Sequence, residues 1–355
     1  MTTLTIRRPD DFHCHVRQGE LLRNVIPFTA NVFGRAVIMP NTNPPITTIA
    51  LARNYQQEIS EALKHKANSS SLNANASKFQ PLITCYATDD LDHDEVIRGF
   101  NELVFFGLKV YPKHGTTGSS HSVSNIRNLY PLFEKMQDVG MPVLLHGEVN
   151  NPEVDIFDRE AVFIENVLCK LLADFPVLKI CLEHITTQTG TDVVLAQYGV
   201  SNFRLAATIT PQHLLFNRNH LLSGGIKPHN YCMPILKREH HREALLEVAT
   251  SGHPAFFLGT DSAPHLKDTK ETACGCAGCF SAPVAVELYA QAFDSVGKLD
   301  KLEQFASTNG AEFYGLPLNT DTVTLGKNPS TILDELRGIV PFMASETLGW
   351  ELISF

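Results

Sequence analysis

The chain has 355 residues, 43% of them hydrophobic and 19% charged, with a formal net charge of -9 at pH 7. That balance provides for a sizeable core and argues against a nucleic-acid-binding face. No apolar run approaches the roughly 18 residues of a membrane span. The length admits two domains or one large barrel.

The N-terminal stretch "MTTLTIRRPD" lacks the apolar core of a signal peptide and is not an Arg- and Ser-rich transit peptide. The chain carries 8 cysteines. Cys14, Cys85, Cys169 and Cys181 lie in apolar segments and read as core residues. The expectation is a reducing, cytoplasmic setting without disulfides.

Short apolar bursts alternate with amphipathic stretches along the chain. In order they are "TIRRPDDFHCH", "GRAVIMP", "PLITCYA", "LVFFGLKVYP", "MPVLLHGE", "LKICLEHI", "FRLAATITP" and "PAFFLGTDSAP". Most are rich in β-branched or aromatic residues and end in a polar, Pro or Gly signal, as buried parallel strands do. Helix-like segments lie between most of them, among them "NIRNLYPLFEKMQDVG", which Gly140 should end. Repeated strand–helix units in one chain predict a single (β/α)8 barrel over residues 1–355. A doubly wound sheet is the competing reading, but the first strand is followed by "HVRQGELL", not a Gly-rich phosphate turn. The polar stretch 66–78, "KANSSSLNANASK", reads as a surface loop. Residues from about 300 to 355 read as a short, helical C-terminal extension.

In such a barrel, reactive residues sit at the C-terminal ends of the strands. Those ends hold His13 and His15, Lys109, His146, His184, and Asp261 with His265. Residues i and i+2 of a strand share a face. His13 and His15 can therefore both face the barrel axis while Cys14 faces outward. Imidazole and carboxylate are natural Zn²⁺ ligands. Taken singly, each has a plainer reading: a packed His pair, a hydrogen-bonded strand-end His, or a turn aspartate in "GTDSAP". Their joint occurrence at one end of the strands favours a metal centre. Lys109 sits in an otherwise apolar burst. An ammonium cannot ligate a metal, but a desolvated lysine loses its proton more easily. The neutral amine can take up carbon dioxide as a carbamate, a carboxylate able to bridge two cations. The alternative is a lysine that snorkels to water.

The segments "DFHCHVR", "MPNTNPP", "GLKVYP", "TTGSSHSV", "LLHGE", "EHITT", "ATITPQHL", "KPHNYCMPILK" and "GTDSAPH…CGCAGCF" carry a resemblance to a known family. The chain resembles the amidohydrolase superfamily, and within it the free-standing dihydroorotases of bacterial type, over nearly its whole length. The resemblance implies that His13, His15 and Asp261 hold one zinc, and that His146 and His184 hold a second. Carboxylated Lys109 would bridge the two. Arg17, Asn41 and His265 would bind the substrate carboxylate, and backbone groups of Met233 and Ala277 would contact the ring amide. Thr116 and Thr117 would lie on a loop that closes over the substrate. Asp261 would carry the catalytic proton. Cys14 and Met233 depart from the expected leucines, Cys14 facing away from the site and Met233 acting through its backbone.

The implied reaction is the reversible closure of N-carbamoyl-L-aspartate to L-dihydroorotate in pyrimidine (UMP) synthesis, by a cytoplasmic homodimer without nucleic-acid or membrane partners. A hydantoinase or allantoinase, another cyclic-amide hydrolase, is the nearest alternative. A non-catalytic barrel would have lost metal ligands, and every one is present. "CGCAGC" places Cys274, Cys276 and Cys279 close together like a zinc-ribbon fragment, but no second pair follows. It is expected to be a structural loop that lines the site through its backbone. His114, His121, His213 and His229 read as polar loop residues.

Overall fold

In the computed structural model, the structure describes residues 2–67, 74–113, 119–199 and 203–354. The barrel strands are β1 (Asp11–Cys14), β2 (Arg35–Ile38), β3 (Gln80–Ile83, resumed at Cys85–Tyr86), β4 (Leu108–Val110), β5 (Val143–His146), β6 (Ile180–Glu183), β7 (Leu205–Ile209) and β8 (Phe256–Leu258). Each pairs with the next in parallel. The break in β3 falls at Thr84, whose N–H and hydroxyl both donate to the Ile38 carbonyl. Helices Gly19–Val32, Ile49–Ala67, His93–Asn101, Tyr130–Val139, Gln188–Tyr198 and Glu239–Ala249 fill most of the crossovers. Gly140 ends its helix at φ +74°, in the left-handed region that glycine enters without a steric penalty.

Contacts between β1 and the end of β8 close the ring. Asp261 N–H donates to His13 O at 2.8 Å, and His15 N–H donates to Ser262 O at 2.9 Å. Buried Asp11 ties the same seam: it accepts from the Thr260 hydroxyl at 2.6 Å and from the Thr260 N–H at 2.9 Å. Most barrel-strand positions are buried, because helices cover the outside and side chains fill the inside. One apolar cluster runs from Ile6 to Trp350.

The opposite end of the barrel is plugged by the segment after residue 300. Phe12 stacks on Tyr314 with ring centroids 5.3 Å apart. A Cβ on Gly310 would lie 2.2 Å from the Phe12 ring, so only glycine lets this helix approach so closely. The amide of Asn309 caps the start of β8 by donating to Phe256 O at 3.0 Å.

The expected helical extension is only partly helical. Helix Asn309–Tyr314 ends at Gly315, and Thr322–Gly326 is then a strand. It pairs antiparallel with Thr3–Arg7 and with Glu351–Ser354. The start of the first apolar burst thus belongs to this outer sheet, not to the barrel. "TLTIR" and "TVTLG" alternate polar and apolar residues, the period of a strand with one face inward.

The 66–78 stretch is also not wholly a loop. The preceding helix runs to Ala67, and Ala74–Lys78 is a 3-10 turn. Cys14, Cys85 and Cys181 are buried as expected, but Cys169 is exposed on its helix, contrary to the expectation of a core residue. Among the described residues no helix is long and apolar enough to cross a membrane.

Candidate metal centre and active site

The strand ends bring His13, His15, His146, His184 and Asp261 around one cavity, which Arg17, Asn41, Tyr111, Met233 and Ala277 also line. Three of these residues leave their strands through left-handed backbone: Arg17 at φ +61°, His184 at φ +43° and Asp261 at φ +44°. Such conformations are uncommon for non-glycine residues and concentrate at functional sites. Arg17 does not reach the site by regular strand parity, since β1 ends at Cys14 and the chain then turns. It reaches the cavity from that turn.

The first ligand group is assembled. Nε2 of His13 and Nε2 of His15 each lie 3.3 Å from the same Asp261 oxygen. Nδ1 of His15 faces Asn41 Oδ1 at 2.9 Å. If Nδ1 carries the proton and donates to that oxygen, the lone pair of Nε2 is left toward Asp261, the arrangement of a metal-ligating imidazole. Burial lowers His15 to about 4, so it is neutral at physiological pH. Burial raises the Asp261 carboxyl, but His13 and His15 outweigh it and hold the group well below the usual carboxylate range.

The second group is arranged differently from the expectation. The rings of His146 and His184 are 4.6 Å apart. His184 can share a cation with His13 and Glu183. His146 instead turns its Nε2 to Glu148 at 2.8 Å. Lys109 is fully buried and ion-paired with Glu183, with its Nζ 4.8 Å over the Tyr111 ring. The same Glu183 oxygen lies 3.0 Å from His13 Nδ1.

The donor set fits divalent cations. Both ring nitrogens of buried His13 face carboxylate oxygens without hydrogen-bond geometry, and Nδ1 of buried His184 has no hydrogen-bond partner among the described residues. Buried polar atoms normally have one. Neutral imidazole and carboxylate are the ligand types that zinc takes. Burial, reinforced by His146 and Lys109, pushes His184 well below its ordinary value and keeps it neutral.

Beside this centre, Arg17 donates from Nε to Pro264 O at 2.9 Å, and its Nη2 lies 2.9 Å from His265 Nε2. That same Nε2 lies 3.0 Å from Ala277 O. It cannot serve both, since Arg17 only donates and a carbonyl only accepts. Burial, then the charges of Arg17 and Lys270, lower His265 to about 3, so it is neutral. Thr116 and Thr117, like His114, lie outside the described residues.

Glu183, Glu148 and Tyr111 are site residues that sequence reasoning missed. Tyr111 lines the cavity with a buried hydroxyl that has no hydrogen-bond partner among the described residues. Each stands within two positions of a residue picked out from the sequence, which is the signal that was available. His213 was expected in a polar loop and is buried instead, on helix Pro211–Leu215. Its ring nitrogens face Thr210 Oγ1 at 2.7 Å and Pro234 O at 3.0 Å. His229 lies 2.8 Å from Glu271. All described cysteines are free, Cys274 exposed and Cys279 buried.

The chain is similar to known proteins over nearly its whole length. Residues 10–347 match the model of the amidohydrolase family. A dihydroorotase of Erwinia tasmaniensis is 52% identical over 356 residues, covering 99% of this chain and 98% of that one. The crystal structure of a dihydroorotase from Saccharomyces cerevisiae with 5-fluoroorotic acid superposes with a TM-score of 0.89 at 29% identity, covering 100% of this chain and 99% of that one. A dihydroorotase from Campylobacter jejuni superposes at 0.86 with 33% identity, covering 99% and 97%.

Proposed function

Since the chain belongs to the amidohydrolase family, and within it to the dihydroorotases of pyrimidine biosynthesis, we propose that its site interconverts N-carbamoyl-L-aspartate and L-dihydroorotate with two zinc ions. The observation that carries this reading is the shared cavity, with four histidines and Asp261 on one side and Arg17, in contact with His265, on the other.

His13, His15 and Asp261 would hold one zinc, and His146 and His184 the second, with a carboxylated Lys109 contributing a further carboxylate to both. To act as a ligand Lys109 would have to give up its ion pair with Glu183, which would keep His13 as a neighbour. When bound, the cations supply an acidified water and polarise the amide carbonyl.

The chain's own residues do the rest. Arg17 offers a planar guanidinium that grips a carboxylate by two parallel bonds. Its bond to Pro264 O fixes the direction of that fork before substrate arrives. Asn41 and neutral His265 complete the carboxylate pocket. Main-chain groups of Met233 and Ala277 hold the ring amide. In hydrolysis, water adds to the amide carbon and the ring C–N bond breaks. Asp261 takes the proton of the attacking water and hands it to the departing nitrogen. Cyclisation runs the same steps backwards. The whole chain is read as one catalytic barrel domain, working as a homodimer in the cytoplasm.

A hydantoinase-type enzyme would need the metal side of this cavity but not the Arg17 side. The discriminating assay compares L-dihydroorotate with dihydrouracil, the same ring without the carboxylate. Wild type is expected to prefer dihydroorotate, and Arg17→Met to lose about 100-fold or more in kcat/KM on it. Equal turnover of the two rings by wild type contradicts the carboxylate assignment.

A further inference from the structure

Lys270 is buried at the end of a short turn of helix, Lys267–Lys270, outside the catalytic residues named above. Its Nζ donates to three main-chain carbonyls: Gly278 O at 2.6 Å, Cys276 O at 3.0 Å and Tyr231 O at 3.1 Å. An ammonium has three donors, so the group is saturated, and among the described residues no carboxylate pairs with it. Two of the acceptors flank Ala277. The third lies two residues before Met233.

This arrangement fixes peptide planes. In a trans peptide the C=O and the following N–H point in opposite directions. Holding Cys276 O on Lys270 therefore turns the Ala277 N–H away from Lys270, and Ala277 lines the cavity. The Ala277 carbonyl faces His265 Nε2 at 3.0 Å. Tyr231 O is gripped twice, by Lys270 and by the Gly278 N–H at 2.9 Å, which ties the Met233 segment to the Ala277 segment. Gly278 permits the tight fit, since a Cβ there would lie 2.5 Å from Ala263 O.

We propose that Lys270 is a positioning residue for the substrate's ring amide, clamping the Tyr231–Met233 and Cys276–Gly278 segments into one rigid main-chain wall. It touches neither metal nor substrate. The inference rests on the dihydroorotase reading of this cavity. A buried lysine here is costly to desolvate, and an apolar residue would fill the space without that cost. The three-carbonyl clamp is what the lysine adds.

The test is steady-state hydrolysis of L-dihydroorotate by wild type, Lys270→Met and Lys270→Arg, with zinc content and thermal unfolding measured on each. A positioning role predicts that Lys270→Met raises KM about tenfold while kcat stays within about threefold and zinc content is unchanged. Lys270→Arg keeps the charge, but its planar fork cannot converge on three carbonyls, so KM should rise by a smaller factor. A merely structural lysine lowers the active fraction, which reads as lower kcat at unchanged KM. Wild-type KM in either folded variant overturns the proposal, and so does loss of fold or of zinc in both. Wild type that holds zinc yet leaves dihydroorotate intact overturns instead the functional reading on which the proposal stands.

Discussion

Asp261 is asked to do two things, to hold a cation and to move a proton, and the two can be separated by experiment. Asp261→Asn keeps an oxygen near His13 and His15 but removes the basic site. General acid–base catalysis of this kind contributes about 100-fold to 10,000-fold. The variant should lose that factor in kcat on dihydroorotate, and elemental analysis should still find metal. Full hydrolysis by a metal-loaded Asp261→Asn chain would remove the proton-transfer role. At this scale the sequence was informative where strand parity holds. His13 and His15 could be paired on one face because residues two apart on a strand point the same way. Glu183 was invisible for the same reason, since alternation turns it away from its neighbour His184. The left-handed backbone of His184 breaks the alternation, and both side chains face the centre. The pairing of Lys109 with Glu183 was hidden with it. Lys270 was equally hidden, because its acceptors are carbonyls, and main-chain groups have no signature in a sequence.

At the scale of elements, the docking of the last strand carries a pH dependence. Glu287 is buried on helix Ala285–Ser295 and accepts from the Leu352 N–H of strand Glu351–Ser354 at 3.3 Å. Burial first, then the charge of Glu351, raises its pKa from 4.5 to about 7. The folded chain therefore binds this proton more tightly than the unfolded chain does. The stability that Glu287 contributes is fully present below its unfolded value and is lost as pH rises through about 7. Glu287→Gln should flatten that decline, measured by urea unfolding on either side of the window. An unchanged slope in the variant would assign the decline to other groups. The barrel strands themselves were legible, because burial on both faces leaves apolar bursts that end in polar residues. The outer sheet was not. Its strands pair residues more than 300 positions apart, such as Leu4 with Leu325, and local pattern alone does not reveal such partners.

The whole molecule works as a frame with one reactive end. Aromatic packing of Phe12 with Phe257 and Tyr314 fills the closed end. The seam of Asp11 with Thr260 and of His13 with Asp261 then fixes the candidate ligands at the other. The closure of the ring could be expected from eight strand–helix units, but its chemistry could not, since it joins residue 11 to residue 260. We propose that metal on these strand ends is what turns the cavity into a dihydroorotase. The most direct measurement strips the protein with chelator, titrates zinc back and follows L-dihydroorotate hydrolysis and bound zinc together. Activity is expected to be lost on stripping and to saturate near about two zinc ions per chain. Full hydrolysis by the stripped protein, or a fully loaded chain that leaves dihydroorotate intact, would contradict it.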